Sequence, residues 1–148
     1  MRVTLVSTAV LALALSTVAA TTASAGGNGA QRSGLSPQAG SNDDQCVVGS
    51  GAGTNGFAIV NAPGKPGSAR FVNGEVSLKR GPASTTYTVN IAKPGGTCLP
   101  EGVLVTNGQG NGNAHLNDAS LKGGGTFYVV LKDASGNEQF ATGAVTVS

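Results

Sequence analysis

Few residues of this chain could do chemistry, and they are widely separated. The sequence holds one histidine, His115, and two cysteines, Cys46 and Cys98. A Ser–His–Asp triad or a zinc site needs its histidine joined by a nucleophile or by further metal ligands. His115 falls on the outward phase of an alternating segment with no partner to orient it. We therefore predict an ordinary surface residue, and no catalytic or metal-binding role.

The acidic residues give no stronger signal for catalysis. There are seven of them, most beside turns: Asp43, Asp44, Glu75, Glu101, Asp118, Asp133 and Glu138. A glycosidase needs two carboxylates that meet across the scissile bond. With no Trp and two Tyr, the chain also lacks the stacking surface that sugar binders favour. An extracellular hydrolase is therefore the least favoured function.

Residues 1–25 have the three parts of a secretion signal. Met1-Arg2 carries the charge, Val3 to Leu15 is mostly apolar, and Ala23-Ser24-Ala25 fits the cleavage rule. Val18-Ala19-Ala20 is a second possible cleavage site. The apolar run is too short to cross a bilayer as a mature helix. We predict a secreted, extracellular protein without a transmembrane segment in the mature chain.

In an exported chain, the default for two cysteines is a disulfide between them. A Cys46–Cys98 bond would close a span of 52 residues. The chain-entropy model gives such a bond a stabilisation of roughly 4 kcal/mol. The alternative, two free thiols used in catalysis or metal binding, fits an oxidising compartment poorly.

Two loops superficially resemble ligand-binding motifs. Asp133-Ala134-Ser135-Gly136-Asn137-Glu138 places oxygens at alternate positions, but it lacks the twelve-residue length and flanking helices of an EF-hand. Asn107 to Asn113 is rich in glycine, but it lacks Gly-Lys-Ser/Thr and precedes a strand. Both loops are predicted to be hairpin connections, so no cofactor is expected.

A mild basic bias runs through the middle of the chain. Five cations oppose only Glu75 there: Lys65, Arg70, Lys79, Arg80 and Lys93. Such a bias could meet an anionic cell-wall polymer or a nucleic acid. No interleaved aromatic residues support base stacking, so a nucleic acid is not predicted. The simpler interpretation is a solvated face.

The chain is organised around an alternating stretch, Thr85 to Ala92. Tyr87, Val89 and Ile91 share one face of it, which is typical of a half-buried strand. Similar short stretches recur at a spacing of roughly ten residues. They are Gln45–Val48, Phe57–Asn61, Ala69–Val72, Glu75–Lys79, Gly102–Thr106, Asn113–Asn117, Thr126–Lys132 and the segment from Phe140 to Val147.

These stretches predict an all-β domain over residues 45–148. About seven to eight strands at this spacing favour an immunoglobulin-like antiparallel β-sandwich, with a small closed barrel as the alternative. Gly102–Thr106 is apolar enough to predict burial on both sides. Residues 26–44 have one large apolar side chain, Leu35, so we predict a flexible Gly/Ser/Asn-rich leader there.

The Thr-Thr-Tyr strand at Thr85–Tyr87, the Asn/Gly-rich hairpin and the Asp133–Asn137 turn resemble features of small secreted immunoglobulin-like proteins of actinobacteria. Among these, the chain is similar over roughly residues 75–147 to apoproteins of the neocarzinostatin type, which carry a small chromophore in a cleft. That resemblance implies a sandwich and a possible carrier role. Members of the group have two disulfides, whereas this chain has one possible pair, so no ligand-contacting residue is transferred.

The sequence thus favours a secreted, non-catalytic binding, structural or cell-surface-associated module. A cell-wall polymer or another extracellular protein is the partner class that this role implies. The alternative is a carrier of a small apolar ligand, which would need a mostly apolar pocket of a few hundred Å³.

Overall fold

A computed structural model describes residues 29–40, 46–61, 69 and 71–147, and in this part of the chain the protein is entirely β-structure. The predicted signal, residues 1–25, lies outside the described residues, as do Asp43, Asp44, Lys65 and Arg70. Nine strands are present in the described part: β1 (Gln31–Pro37), β2 (Gly56–Asn61), β3 (Phe71–Leu78), β4 (Thr86–Ala92), β5 (Leu99–Val105), β6 (Gly112–Lys122), β7 (Gly125–Lys132), β8 (Glu138–Thr142) and β9 (Val145–Val147).

The strands form one nearly closed antiparallel sheet. Its order is β5-β4-β7-β8-β1-β2-β3-β6, and β9 continues alongside β7. The end strands β5 and β6 do not pair. They nevertheless lie close together, since a Cβ atom at Gly102 would be 3.4 Å from the carbonyl oxygen of His115. The predicted all-β antiparallel class is confirmed. The strands form a single sheet that curls until its end strands, β5 and β6, lie close together.

Strand β1 corrects the prediction of a flexible leader over residues 26–44. Residues 31–34 pair with β2, and residues 35–37 pair with β8, so this strand joins the two halves of the sheet. Leu35 is fully buried in the core. The leader prediction counted only the apolar surface of the segment itself. A central strand is also stabilised by the backbone hydrogen bonds of both neighbours, which composition does not reveal.

The interior of the sheet is a single apolar cluster. The predicted inward residues of β4, Tyr87, Val89 and Ile91, are all buried there. Phe127, Val129 and Leu131 of β7 join them, also as predicted. Further members are Leu35, Ala58, Val60, Val72, Val76, Leu78, Leu104, Ala114, Leu116, Phe140 and Val147.

Two local predictions were wrong. Gln45–Val48 was expected to be a strand, but Cys46, Val47 and Val48 are irregular and the two valines are 45% and 47% exposed. Strand β5 was expected to be buried on both sides. Leu104 is buried, whereas Val103 and Val105 are 61% and 58% exposed. The reason is positional, since β5 ends the sheet and nothing described covers its outer side.

Candidate functional site

The outer side of the sheet is divided into two faces with opposite character. The first is the outer side of β4, β7 and β8, which we call the covered face. It consists of Asn90, Ala92, Tyr128, Val130 and Ala141, all of them at most 4% exposed. Residues 46–55, which we call the covering segment, begin over this face and then cross to β1. The covered face is therefore an interior surface.

Hydrogen bonds fix the covering segment in place. The Tyr128 hydroxyl donates to the carbonyl oxygen of Cys46 at 2.6 Å. The backbone N–H of Gly49 donates to the Thr142 carbonyl at 2.8 Å. Further along, the Gly34 N–H of β1 donates to the Gly51 carbonyl at 3.1 Å. The segment is thus held first by β7 and β8 and then by β1.

Glycine is required where the covering segment touches the strands. A Cβ atom at Gly49 would come within 2.5 Å of the Ala141 carbonyl oxygen. A Cβ atom at Gly53 would overlap the carbonyl of Leu35. Neither neighbour is a flexible side chain, so neither can move aside. These two glycines therefore permit close backbone packing.

The predicted disulfide is present and ties the covering segment to the sheet. It joins Cys46 to Cys98, whose Cα atoms are 5.2 Å apart. Cys46 is buried against Ala92, Tyr128 and Val130, and Cys98 stands immediately before β5. The bond therefore fastens the start of the covering segment to the connection between β4 and β5.

A buried carboxylate lies beside this disulfide. Glu138, the first residue of β8, is 1% exposed, and its Oε1 accepts a hydrogen bond from the Val47 N–H at 2.8 Å. Its carboxylate and the two cysteine sulfurs all lie within 4.8 Å of one another. Burial raises the pKa of the nearby Tyr128 hydroxyl, and the charge of Glu138 adds to that rise. Sequence reasoning placed Glu138 in a turn and missed this position.

A small cleft opens next to Glu138. It has a volume of about 170 Å³ and is lined by Gln38, Ala39, Val47 and Glu138. The carrier alternative requires a mostly apolar pocket of several hundred Å³. This cleft is smaller than that, and a carboxylate forms part of its wall. It does not match the site that a carrier of an apolar ligand would need.

The second outer face is open and polar. We call it the polar face, and it lies on β1, β2, β3 and β6. It consists of Arg32, Phe57, Ile59, Asn61, Asn73, Glu75, Ser77, Asn113, His115 and Asn117. Ser77 is buried, and the others are half-buried or exposed. Successive residues of these strands alternate between this face and the core, as a pleated sheet requires.

Strand register arranges the polar face in rows. Asn61 pairs with Asn73, and Asn73 pairs with Asn117, so three amides cross three strands side by side. The Asn61 Nδ2 donates to the Asn73 Oδ1 at 3.4 Å.

The next row runs Arg32, Ile59, Glu75 and His115. At the edge of the face the Arg32 guanidinium lies 4.2 Å from the centre of the Phe57 ring.

His115 is exposed on β6, as predicted, with Glu75 as its cross-strand partner. In the part of the chain that the structure describes, His115 belongs to no group of three possible metal ligands. This environment matches the surface residue that the sequence predicted.

The two suspected ligand loops are turns built alike, but the hairpin prediction holds for one of them and is wrong for the other. Residues 133–137 connect the paired strands β7 and β8, whereas residues 107–111 connect β5 and β6, which do not pair. The Asp133 Oδ1 accepts from the Ser135 and Asn137 N–H groups at 2.9 and 3.0 Å. The hydrogen bond from the Asn137 backbone is the main reason that the pKa of Asp133 is lowered. The Asn107 Oδ1 accepts in the same way from the Gln109 and Asn111 N–H groups, at 2.9 and 3.0 Å. Both side chains hold their own turns together.

Three of the five residues in the predicted basic bias lie in the described part of the chain, and they do not converge. Lys79 and Arg80 lie before the start of β4, whereas Lys93 follows its end. The strand between them is about 20 Å long at the usual rise per residue. Arg80 donates to the Thr54 carbonyl at 3.0 Å, and the Lys93 ammonium lies 5.3 Å from the centre of the Phe127 ring. These three cations therefore form no common patch.

Among the described residues, no helix is long and apolar enough to cross a membrane. Comparisons of the chain with protein-family models, with curated proteins and with solved structures gave no match. The class of this protein is therefore defined by its geometry alone. It is an all-β protein with a nearly closed antiparallel sheet, one disulfide-tethered outer face and one open polar outer face.

Proposed function

We propose that this protein is a secreted, non-catalytic module that binds a cell-wall polymer rich in hydroxyl and amide groups. The observation that carries the proposal is the polar face, with its rows of hydrogen-bonding side chains held in register across neighbouring strands. The disulfide supports an extracellular location, because such bonds persist in oxidising compartments.

The chemistry of the polar face suits a neutral, hydrogen-bonding ligand. An asparagine amide both donates and accepts, as a sugar hydroxyl or an acetamido group does. The fixed charges within these rows, Arg32 and Glu75, are one of each sign, and at the end of β3 and β6 the Lys122 ammonium lies 5.5 Å from the centre of the exposed Phe71 ring. A ligand of high net charge therefore gains little here, whereas a polar uncharged chain can be matched group by group.

Rigidity of the sheet supports binding through this face. Strands about 5 Å apart and rows about 7 Å apart place the side chains on a regular grid. Because the backbone is already ordered, binding carries no cost of ordering the protein backbone, and most of the side chains to be immobilised are short. With few aromatic groups, each contact is weak, so a repetitive polymer that several copies can engage together is a better partner than a small free sugar.

The immunoglobulin-like arrangement of the strands is part of the same proposal. We infer an immunoglobulin-like arrangement from the way β1 pairs with β2 through its first half and with β8 through its second. A strand that changes partners in this way marks a corner between two packed halves of a sheet.

The proposal is tested by retention of the secreted protein on purified cell wall, whole cells and membranes, at low and high salt. We expect retention on cell wall that persists at high salt, since the face has little net charge. Exchange of both Asn73 and Asn117 for alanine should weaken retention at least about tenfold, from the loss of two hydrogen-bonding groups.

The matched control is Gln109→Ala. Gln109 has an exposed amide on the turn before β6, and its side chain makes no hydrogen bond that the structure records. This variant should be retained like the parent protein. Equal retention of the Asn73/Asn117 double variant, or no retention of the parent on any surface, would refute the proposal. Retention abolished by protease treatment of the cell wall would indicate a protein partner.

A further inference from the structure

The disulfide and Glu138 form a cluster that the proposed function does not use. The two sulfurs and the Glu138 carboxylate lie within 4.8 Å of one another. Cys46 and Glu138 are 7% and 1% exposed, and Cys98 is half-buried. Three groups of this kind are ligands that a thiophilic divalent cation such as Zn²⁺ takes in proteins.

In the oxidised protein the sulfurs are bonded to each other and cannot supply thiolates. Reduction would leave two thiols beside a buried carboxylate. Ionising those thiols next to the carboxylate is opposed by like charge, and burial opposes it further. A divalent cation offsets both the repulsion between the negative charges and the cost of burying them, because it is attracted to all three groups at once.

The spacing fits a tetrahedral metal site. Ligand atoms bound to Zn²⁺ at about 2.3 Å for sulfur and 2.0 Å for oxygen are about 3.5–3.8 Å apart. The three groups already lie within 4.8 Å of one another, and the two sulfurs, once no longer bonded, must move apart to about 3.8 Å by rotation of the cysteine side chains.

The positions of the ligands are also well supported. The Val47 N–H holds the carboxylate at 2.8 Å, and the Tyr128 hydroxyl holds the Cys46 carbonyl at 2.6 Å. The cleft lined by Gln38, Ala39, Val47 and Glu138 gives room for a water molecule as the fourth ligand.

We propose that Cys46, Cys98 and Glu138 form a redox-gated metal site, closed by the disulfide and able to bind Zn²⁺ or a similar thiophilic cation after reduction. A phosphine reductant and one water convert the disulfide to two thiols and are consumed as phosphine oxide. The cation then displaces both thiol protons and binds two thiolates and the carboxylate, giving a complex of net charge −1 and two released protons. The proposal is independent of the polar face.

The test uses Co²⁺ as a spectroscopic probe on the full-length secreted protein, before and after phosphine reduction. We expect the reduced protein to bind one Co²⁺, with thiolate-to-cobalt charge-transfer bands and tetrahedral d–d bands, and Zn²⁺ to displace it. The oxidised protein should show neither set of bands. Circular dichroism of the reduced protein, with and without metal, verifies that the strands persist.

The carboxylate ligand is tested with Glu138→Gln, which keeps an acceptor for the Val47 N–H. Because loss of a mere supporting partner costs a metal site 10–100-fold, loss of this ligand should cost at least about tenfold in Co²⁺ affinity. Glu75→Gln, on the exposed polar face, is the control and should bind like the parent.

Three results would overturn the site: a folded, reduced protein that binds no Co²⁺, an oxidised protein that binds it equally well, or an unchanged affinity in Glu138→Gln. If Glu138→Gln does not fold, the ligand is tested instead on the parent protein. Cadmium bound to the reduced parent should then show two sulfur ligands and at least one oxygen ligand by X-ray absorption, and a sulfur-only shell would overturn the assignment.

Discussion

The covered face and the polar face lie on the outer side of the same sheet, yet one is interior and the other is open. On the covered face the outward residues are small or apolar, such as Ala92, Val130 and Ala141, and a disulfide-tethered segment lies over them. On the polar face most of the equivalent positions are asparagines or charged residues, such as Asn73, Asn117 and Glu75, and all but the buried Ser77 are half-buried or exposed. The comparison teaches that the outward residues of each strand match what the rest of the chain brings to that face.

The largest expected effect on stability comes from releasing the covering segment. Exchanging both Cys46 and Cys98 for alanine should lower the free energy of unfolding by roughly 4 kcal/mol, because the unfolded chain regains the freedom of a 52-residue span. Urea denaturation of the parent and the double variant measures this. A loss below about 1 kcal/mol would mean that packing alone holds the segment.

The backbone contact beneath the covering segment comes next. Gly53→Ala places a Cβ atom against the Leu35 carbonyl, so either the segment or β1 must shift. We expect a loss of about 1–3 kcal/mol, the usual cost of overpacking a fixed site. Gly108→Ala is the control, since a Cβ atom there meets nothing within 4 Å. Similar denaturation midpoints for the two variants would contradict the close packing.

The two tyrosines separate the covered face from the inner core. Tyr128→Phe removes the donor to the Cys46 carbonyl and should cost about 1 kcal/mol. Tyr87 is equally buried, but its hydroxyl makes no hydrogen bond of ordinary geometry among the residues that the structure describes, although the Thr85 side chain is close enough to lower its pKa slightly against the effect of burial. Tyr87→Phe should therefore be neutral or slightly stabilising. The opposite ranking in thermal unfolding would show that the Tyr128 bond does not anchor the segment.

Alkaline pH should destabilise the inner core, through Tyr87, and the covered face, through Tyr128. Burial raises the pKa of Tyr87 and of Tyr128 above the ordinary value of 10.0. A raised folded-state pKa means that the stabilisation is complete below about pH 10 and is lost as the pH rises through the folded-state value. Unfolding free energies measured from pH 8 to pH 11 should fall only at the upper end. Replacing both tyrosines by phenylalanine should reduce that fall.

The polar face should give the smallest effect on stability. The Asn73→Ala and Asn117→Ala exchanges that weaken polymer retention should each change the unfolding free energy by less than about 0.5 kcal/mol, as is usual for surface sites. Thermal unfolding checks this. A large loss of stability would show that the row of amides supports the sheet, and the retention assay would then need variants of Asn113 in place of them.

Much of the strand pattern was accessible from the sequence, and the reason is local. The alternation of Tyr87, Val89 and Ile91 predicted the inner face of β4, and the Asn/Gly-rich stretches predicted the turns at residues 107–111 and 133–137. Two cysteines in a chain with a predicted secretion signal were enough to predict their pairing. Each of these inferences depends on residues close together in the sequence or, for the cysteines, on there being one possible pair.

The wrong predictions concerned contacts between residues that are far apart in the sequence. Leu35 and β1 were misread because their pairing partners lie in β2 and β8, far along the chain. Asn90 lies on the side of β4 opposite its predicted inner residues, and the alternation alone does not show that it is buried, yet it is 4% exposed. Glu138 was read as a turn residue because nothing in its local sequence places it beside a disulfide formed by residues 46 and 98.

The sequence by itself determined that this chain forms short strands, where most of them turn, and that its two cysteines pair, because period-two patterning and turn chemistry are properties of adjacent residues. Only the tertiary structure decided which outer face is covered and which residues face each other across the strands. Register and coverage depend on pairings between distant segments, and a shift of one residue would exchange the faces. The asparagine row and the Cys46–Cys98–Glu138 cluster both arise from that second level.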